Sequence, residues 1–263
     1  MSLFSLVQQS IDMRMPLASF IKEAGTQYLP DLLWPLGVLA LAGYLIGSIP
    51  FAYIIVRAVS GEDITQHGTG NVGAMNVRRT TGSWSWFVVA MLADAFKGFL
   101  PTVVAMTVPL MFIDSALPAG GAAWSSVAAP YAAAALFGPQ AVVLGAVVGH
   151  NYSLWLSLSK RRWLGGKGLA TGGGALLAYN WTYFLVVLGV GLALIALTRY
   201  MMAGQVGAAL SLPVYALVTA KPDTAFVVIL GGLVYLRHHN RFVGLIRGRE
   251  PRLYIEDNSG PRG

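Results

Sequence analysis

Residues 86–113 read WFVVAMLADAFKGFLPTVVAMTVPLMFI, an apolar run broken by only two ionisable side chains, Asp94 and Lys97. A helix needs about 20 mostly apolar residues to cross bilayer hydrocarbon, and this run exceeds that length. Positions three apart share one helix face. Charges at such depth are costly unless they meet a polar cavity or each other. The pair therefore predicts a span facing other helices, in which Asp94 and Lys97 either steady the bundle as an ion pair or support nearby site residues.

The same length rule finds further segments at 33–58, 127–151, 181–197 and 200–218, a short one at 168–179, and one from 224 to 236 that continues into a basic tail. Composition agrees. The 263 residues are 56% hydrophobic and 11% charged, against about 25% charged in soluble domains, and mean hydropathy is +0.62. The expected fold is all-α: a polytopic integral membrane protein with seven transmembrane helices, one short or interrupted, and cytoplasmic glycine-rich loops. Gly47-Ser48-Ile49-Pro50 in the first segment reads as a kink or a point of close helix approach. Residues 1–32, with Leu17, Phe20 and Ile21 scattered among charges, read as an external interfacial extension. They lack the basic start and cleavage site of a signal peptide. Residues 33–250 form the membrane domain and 251–263 a polar cytoplasmic tail.

Net charge is +7 and the isoelectric point about 9.8, yet the basic residues gather at one end of the spans, which argues against nucleic acid as the partner. Arg57, Arg78, Arg79, Lys160, Arg161, Arg162, Lys167, Arg199, Arg237, Arg241, Arg247, Arg249, Arg252 and Arg262 fall on one side; Arg14, Lys22 and Lys221 fall on the other. By the positive-inside rule the richer side, with the carboxyl terminus, is cytoplasmic and the amino terminus external. All four histidines and every glycine-rich island lie on that inner side.

Two islands carry the chemistry. Gly68-Thr69-Gly70-Asn71-Val72-Gly73-Ala74-Met75-Asn76-Val77-Arg78-Arg79 joins the first two long segments. Glycines let N–H groups turn inward around an anion, Thr69 and Asn71 add side-chain hydrogen bonds, and Arg79 offers a fork suited to phosphate. Its GxGxxG spacing lacks the strand–helix setting of a dinucleotide site, and a plain turn is the competing reading. Gly165-Gly166-Lys167-Gly168 opens the short segment, where a helix amino terminus and an ammonium suit phosphate; the spacing is not that of a Walker loop. Lys160, Arg161 and Arg162 read instead as orientation-setting charges. His150 ends the third segment as an interfacial anchor or site residue. His238, beside Arg237 and Arg241, is the stronger candidate. No cysteine is present and His67, His150, His238 and His239 show no metal spacing, so no metal or cofactor is expected.

GSIP, D-x-x-x-x-G-T-G-N-x-G-A-x-N-V-x-R, D-x-x-K-G, G-H, G-G-K-G-x-A-T and R-H with a distal G-x-E, in this order over residues 41–250, resemble the bacterial glycerol-3-phosphate acyltransferases that use acyl phosphate. The resemblance implies a seven-helix inner-membrane enzyme that acylates the 1-hydroxyl of sn-glycerol 3-phosphate, supplied by an acyl-phosphate-producing partner enzyme and working among membrane lipids. It assigns catalytic work to Thr69, Asn71, Arg79, Lys167 and His238. Substrate contacts fall to Gly68, Gly70, Gly73, Asn76, Gly165, Gly166, Gly168, His150, Asn240 and Arg241, with Asp94 and Lys97 in support. Thr69, Asn71 and N–H groups around Gly70 and Gly166 are expected to hold the acyl phosphate head. Thr65 stands where the family usually has arginine, Met75 where it has threonine, Met202 near a usual serine, and Arg241 where asparagine follows the histidine by three, with Asn240 one place early. A divergent paralogue that moves or senses anions through the same pocket is the non-enzyme reading.

Overall fold

The computed structural model describes residues 25–116 and 128–250, with Ser19, Ile21, Lys22 and Arg252 as single positions. Arg14, Leu17, Phe20, Val127 and Arg262 lie outside the described residues. Among the described residues the chain is helical with no strand, in the order α1 (Leu29–Gly47), α2 (Phe51–Ser60), α3 (Ala74–Thr81), α4 (Trp84–Ala116), α5 (Ala128–Asn151), α6 (Leu154–Lys160), α7 (Leu169–Tyr179), α8 (Trp181–Thr198), α9 (Met201–Val218) and α10 (Thr224–Ile246).

Among the described residues five stretches are long and apolar enough to cross a membrane: Thr26–Ser60, Trp84–Pro109, Ala129–Lys160, Trp181–Thr198 and Met201–Val218. The protein is an all-helical membrane protein. The eleven residues of α7 rise only about 16 Å, half of a bilayer core of about 30 Å.

The segment read as one span over 33–58, with a kink or close approach at Gly47-Ser48-Ile49-Pro50, is two helices. Pro50 has no N–H to continue the ladder and disfavours a helical residue before it, so the chain leaves the helix at Ser48 and re-enters at Phe51. Carbonyls freed inside a membrane need new donors. Trp155 Nε1 donates to Leu45 O at 3.1 Å, Ser153 Oγ to Ser48 O at 2.5 Å, and Lys97 Nζ to Ile49 O at 2.9 Å. The start also differs: α1 begins at Leu29, with proline in its first turn and Asp31 beside the positive helix end.

Packing follows small residues. Gly43 and Gly47 of α1 lie against the Val142 and Ala146 carbonyls of α5, while Gly145 and Gly149 of α5 lie against Ala40 and Tyr44 of α1, so a Cβ at any of the four would strike backbone. Apolar side chains gain nothing by leaving lipid for each other, and such close seams supply van der Waals contact instead. Gly98 of α4 and Gly174 of α7 repeat the device. A buried cluster that includes Val143, Leu176, Ala209, Leu212, Leu230 and Val234 fills the space between α5, α7, α9 and α10. Beyond it lies a polar knot: Tyr179 Oη and Tyr183 Oη donate to the Asp223 carboxylate at 2.8 and 2.5 Å, and Gln140 Nε2 donates to Tyr179 Oη at 3.1 Å.

Candidate active site

The first glycine island is a turn feeding a helix that the span rule did not find. Gly68 and Gly70 have φ of 56° and 67°, left-handed values suited to glycine, and Gly73 caps α3. Asn76 is buried beneath: its Nδ2 donates to Ile64 O at 3.1 Å and His67 O at 3.0 Å, and its Oδ1 accepts from Thr69 N at 3.3 Å. Asn76 thus shapes the turn from behind. Asp63 ties the same loop to α6 through Lys160 Nζ at 2.5 Å. Burial opposes its ionisation, but the hydrogen bonds from Lys160 and Thr65 prevail and hold its pKa at about 2. Lys160, expected only to set orientation, therefore also holds the loop. Arg78 lies over the Trp84 ring at 3.7 Å, leaving its neighbour Arg79 for other work.

The second island meets the first. Val72 N donates to Gly165 O at 3.4 Å, and Gly166 N donates to His150 O at 2.7 Å. Gly168, with φ of 77°, caps α7, so two helix amino termini, those of α3 and α7, open onto one region. Partial positive charge at both ends favours an anion there. The N–H groups of Gly70 and Gly166, expected to hold substrate, are engaged with His67 O and His150 O. Those of Asn71, Lys167 and Gly168 have no partner among the described residues, because tight turns consume one donor and free the next.

From α10, Arg237 Nε and Nη2 donate to Gly166 O at 3.2 and 3.1 Å, and its guanidinium lies 4.8 Å from the Tyr152 ring centre. The sequence places Arg237 on the inner side, among the arginines that flank His238 and build an anion site with it. Its adjacency to His238 was the available signal, but nothing in the sequence shows that it holds a carbonyl. His238 Nδ1 faces Val234 O at 2.8 Å and so carries the proton, leaving Nε2, buried and without a partner among the described residues, as the acceptor of a neutral ring. Arg241 forks onto Glu250, which Gly248 with φ of 67° turns back toward α10. Asn240 is exposed, since two residues on a helix move it about 200° from His238.

Arg79, Lys167, Arg237 and Arg241 thus share one field with a single carboxylate, Glu250. Among the described residues Arg79 and Lys167 have no ion-pair partner. Burial, then repulsion by Arg241, lowers the Lys167 pKa to about 8, with Glu250 opposing. Thr69 is exposed and Asn71 half-buried at the mouth.

Behind the cradle, His150 is buried with Nδ1 3.7 Å from Asp94 Oδ1, which lies 3.0 Å from Lys97 Nζ. A Cβ on Gly166 would strike the His150 ring. His150, Asp94 and Lys97 therefore form a column linking the helix break at Ile49 to the underside of the Gly166 loop, and none of the three opens to the mouth.

A family model described as Glycerol-3-phosphate acyltransferase matches residues 37–248. The chain belongs to this family. A glycerol-3-phosphate acyltransferase of Thermosynechococcus vestitus is 37% identical over 220 residues, 83% of this chain and 95% of that one. That of Rhodospirillum rubrum is 37% identical over 228 residues, 86% and 94% of the two. The crystal structure of PlsY, an integral membrane glycerol 3-phosphate acyltransferase, in its glycerol 3-phosphate form matches with a TM-score of 0.64 at 28% identity, covering 82% of this chain and 94% of that one. Its lysophosphatidic acid form gives 0.61 at the same identity. This glycerol-3-phosphate acyltransferase family member keeps the two glycine islands, Lys167 and His238 inside the matched span.

Proposed function

We propose that the chain transfers a fatty acyl group from acyl phosphate to the 1-hydroxyl of sn-glycerol 3-phosphate, giving 1-acylglycerol 3-phosphate and inorganic phosphate at the start of phospholipid synthesis. One observation carries this reading: two hydrogen-bonded glycine loops set the unpaired cations Arg79 and Lys167 beside the free Nε2 of His238. Such a cradle suits two phosphates, one on the acceptor and one leaving the donor.

The hydroxyl oxygen attacks the acyl carbonyl carbon, an O–C bond forms, and the C–O bond to phosphate breaks. Phosphate leaves with the electron pair and takes the hydroxyl proton, so no covalent enzyme intermediate is needed. Proximity and electrostatic stabilisation supply the acceleration. Thr69, Asn71 and the free N–H groups of Asn71, Lys167 and Gly168 hold the acyl phosphate head; Arg79, Lys167 and His238 hold glycerol phosphate. Arg237 and the column ending at His150 keep the second loop in shape.

In this reading seven segments cross the bacterial inner membrane, the cradle faces the cytoplasm, and a partner enzyme supplies acyl phosphate. The test is purified protein given acyl phosphate with and without glycerol 3-phosphate. Phosphate release that requires the acceptor, with lysophosphatidate formed in equal amount, is the expected result. Binding of both ligands without either product would remove the enzyme reading.

A further inference from the structure

The three helices that meet at the second glycine loop are tied together a second time. At the cradle, the α5 carbonyl of His150 accepts from Gly166 N, Gly168 caps α7, and Arg237 of α10 donates to Gly166 O. Away from the cradle, Gln140 of α5 donates to Tyr179, the last residue of α7, and Tyr179 donates to Asp223, the residue before α10. Tyr183, buried in the first turn of α8, donates to the same carboxylate. By helix rise this second tie lies about 15 Å from His150 along α5, about 16 Å from Gly168 along α7 and about 22 Å from His238 along α10.

The local chemistry of a helix start does not ask for this arrangement. An aspartate at that position usually accepts from the N–H groups of its own first turn, yet the buried Asp223 side chain makes no such bond and turns to the two phenols instead. The phenol rings are held in turn: Tyr179 lies edge-on to Phe226 with centres 5.1 Å apart, and Tyr183 edge-on to Tyr215 at 6.0 Å. Between the two ties the helices meet through apolar side chains such as Leu176, Leu230 and Val234. Apolar contact is non-directional, so it resists sliding along the helix axes less than hydrogen bonds of fixed length and angle do.

We propose that Asp223 is a positioning residue for the reaction: with Tyr179 and Tyr183 it fixes how far α10 stands along α7, and so sets Lys167 against Arg237, His238 and Arg241. This rests on the acyl transfer proposed above. A misplacement of about 1 Å caused far from the chemistry can cost about 100-fold in rate. Lys167 reports the placement. Burial first, then Arg241, with Arg79 and Arg237 adding to it and Glu250 opposing, lowers its pKa to about 8. An α10 that slips along α7 takes away both the cover and the neighbouring guanidinium groups.

Two variants loosen the tie. Asp223→Asn keeps one acceptor oxygen but turns an amide donor on a phenol, and Tyr183→Phe removes one hydroxyl while keeping the ring. The experiment measures KM for glycerol 3-phosphate, the pH dependence of kcat/KM and the unfolding midpoint in detergent. The alkaline limb should move from about 8 toward the usual lysine value of about 10.4. KM should rise about tenfold in Asp223→Asn and less in Tyr183→Phe. A midpoint that falls while limb and KM keep their parent values makes the knot a stabiliser only and overturns the positioning role; so do variants identical to the parent in all three. Should Asp223→Asn fail to fold, Tyr183→Phe decides by itself. A parent that turns over no acyl phosphate removes the acyl transfer reading alone, and glycerol 3-phosphate affinity across the same pH range then reads the limb in its place. A parent that binds no glycerol 3-phosphate overturns the positioning role together with the cradle.

Discussion

Lys167 and Arg161 carry equal charge six positions apart, yet the fold gives them different surroundings. Lys167 lies among Arg79, Arg237, Arg241 and Glu250, whereas Arg161 is exposed after α6 with φ of 52°. Losing a charge-assisted hydrogen bond to phosphate costs about 1.5–3 kcal/mol, so Lys167→Ala should lower kcat/KM for glycerol 3-phosphate about 10- to 150-fold. Arg161→Ala should change it little, since exposed loop cations mainly set orientation. Equal losses in a side-by-side assay would remove Lys167 from the site. A pH profile tests the same residue differently. With a Lys167 pKa of about 8, the ammonium is present below that value and lost above it, so kcat/KM should fall as pH rises through about 8. In Lys167→Arg the guanidinium stays charged, and whatever activity survives should lose this alkaline limb.

Among elements, the long apolar runs were legible because the membrane demands length and apolarity together, and little else satisfies both. The short helices α3 and α6 were not, because amphipathic pieces of eight and seven residues leave no span signal. Gly47-Ser48-Ile49-Pro50 announced a kink or a close approach, and the structure has both, but the donors that quiet its carbonyls come from Trp155, Ser153 and Lys97, far away in sequence. For the same reason residue types alone pointed to Arg79, Lys167 and His238, while the fork of Arg237 on Gly166 O had to be seen. The glycine seam between α1 and α5 offers a sharp element-scale test. Gly149→Ala puts a Cβ against the Tyr44 carbonyl, backbone that cannot give way, and overpacking costs about 1–3 kcal/mol. Its unfolding midpoint in detergent should fall clearly below that of Gly37→Ala, where a Cβ meets nothing within 4 Å. Matching midpoints would mean that the helices adjust without cost.

At the scale of the molecule, every piece of the cradle sits at one end of the bundle. The two islands, the carboxyl-terminal half of α10 and Arg252, which reaches Tyr200 at 3.3 Å, lie together there. By the positive-inside rule we propose that this end faces the cytoplasm. A cysteine placed at Ser83, between α3 and α4, should resist a membrane-impermeant thiol reagent in intact cells, while one at Ala220, exposed in the turn between α9 and α10, should react. Labelling at Ser83 and protection at Ala220 would invert the assignment.

The knot of Tyr179, Tyr183 and Asp223 lies beyond the buried apolar cluster that includes Val143, Leu176, Leu212 and Leu230. A charge carried across a bilayer exchanges about 2.3 kcal/mol with each 100 mV of potential, but the reaction we propose, with its phosphates entering and leaving by one mouth, carries none across. Its equilibrium is therefore blind to voltage: cells that lose their ion gradients keep the same chemical balance between acyl donor and lysolipid.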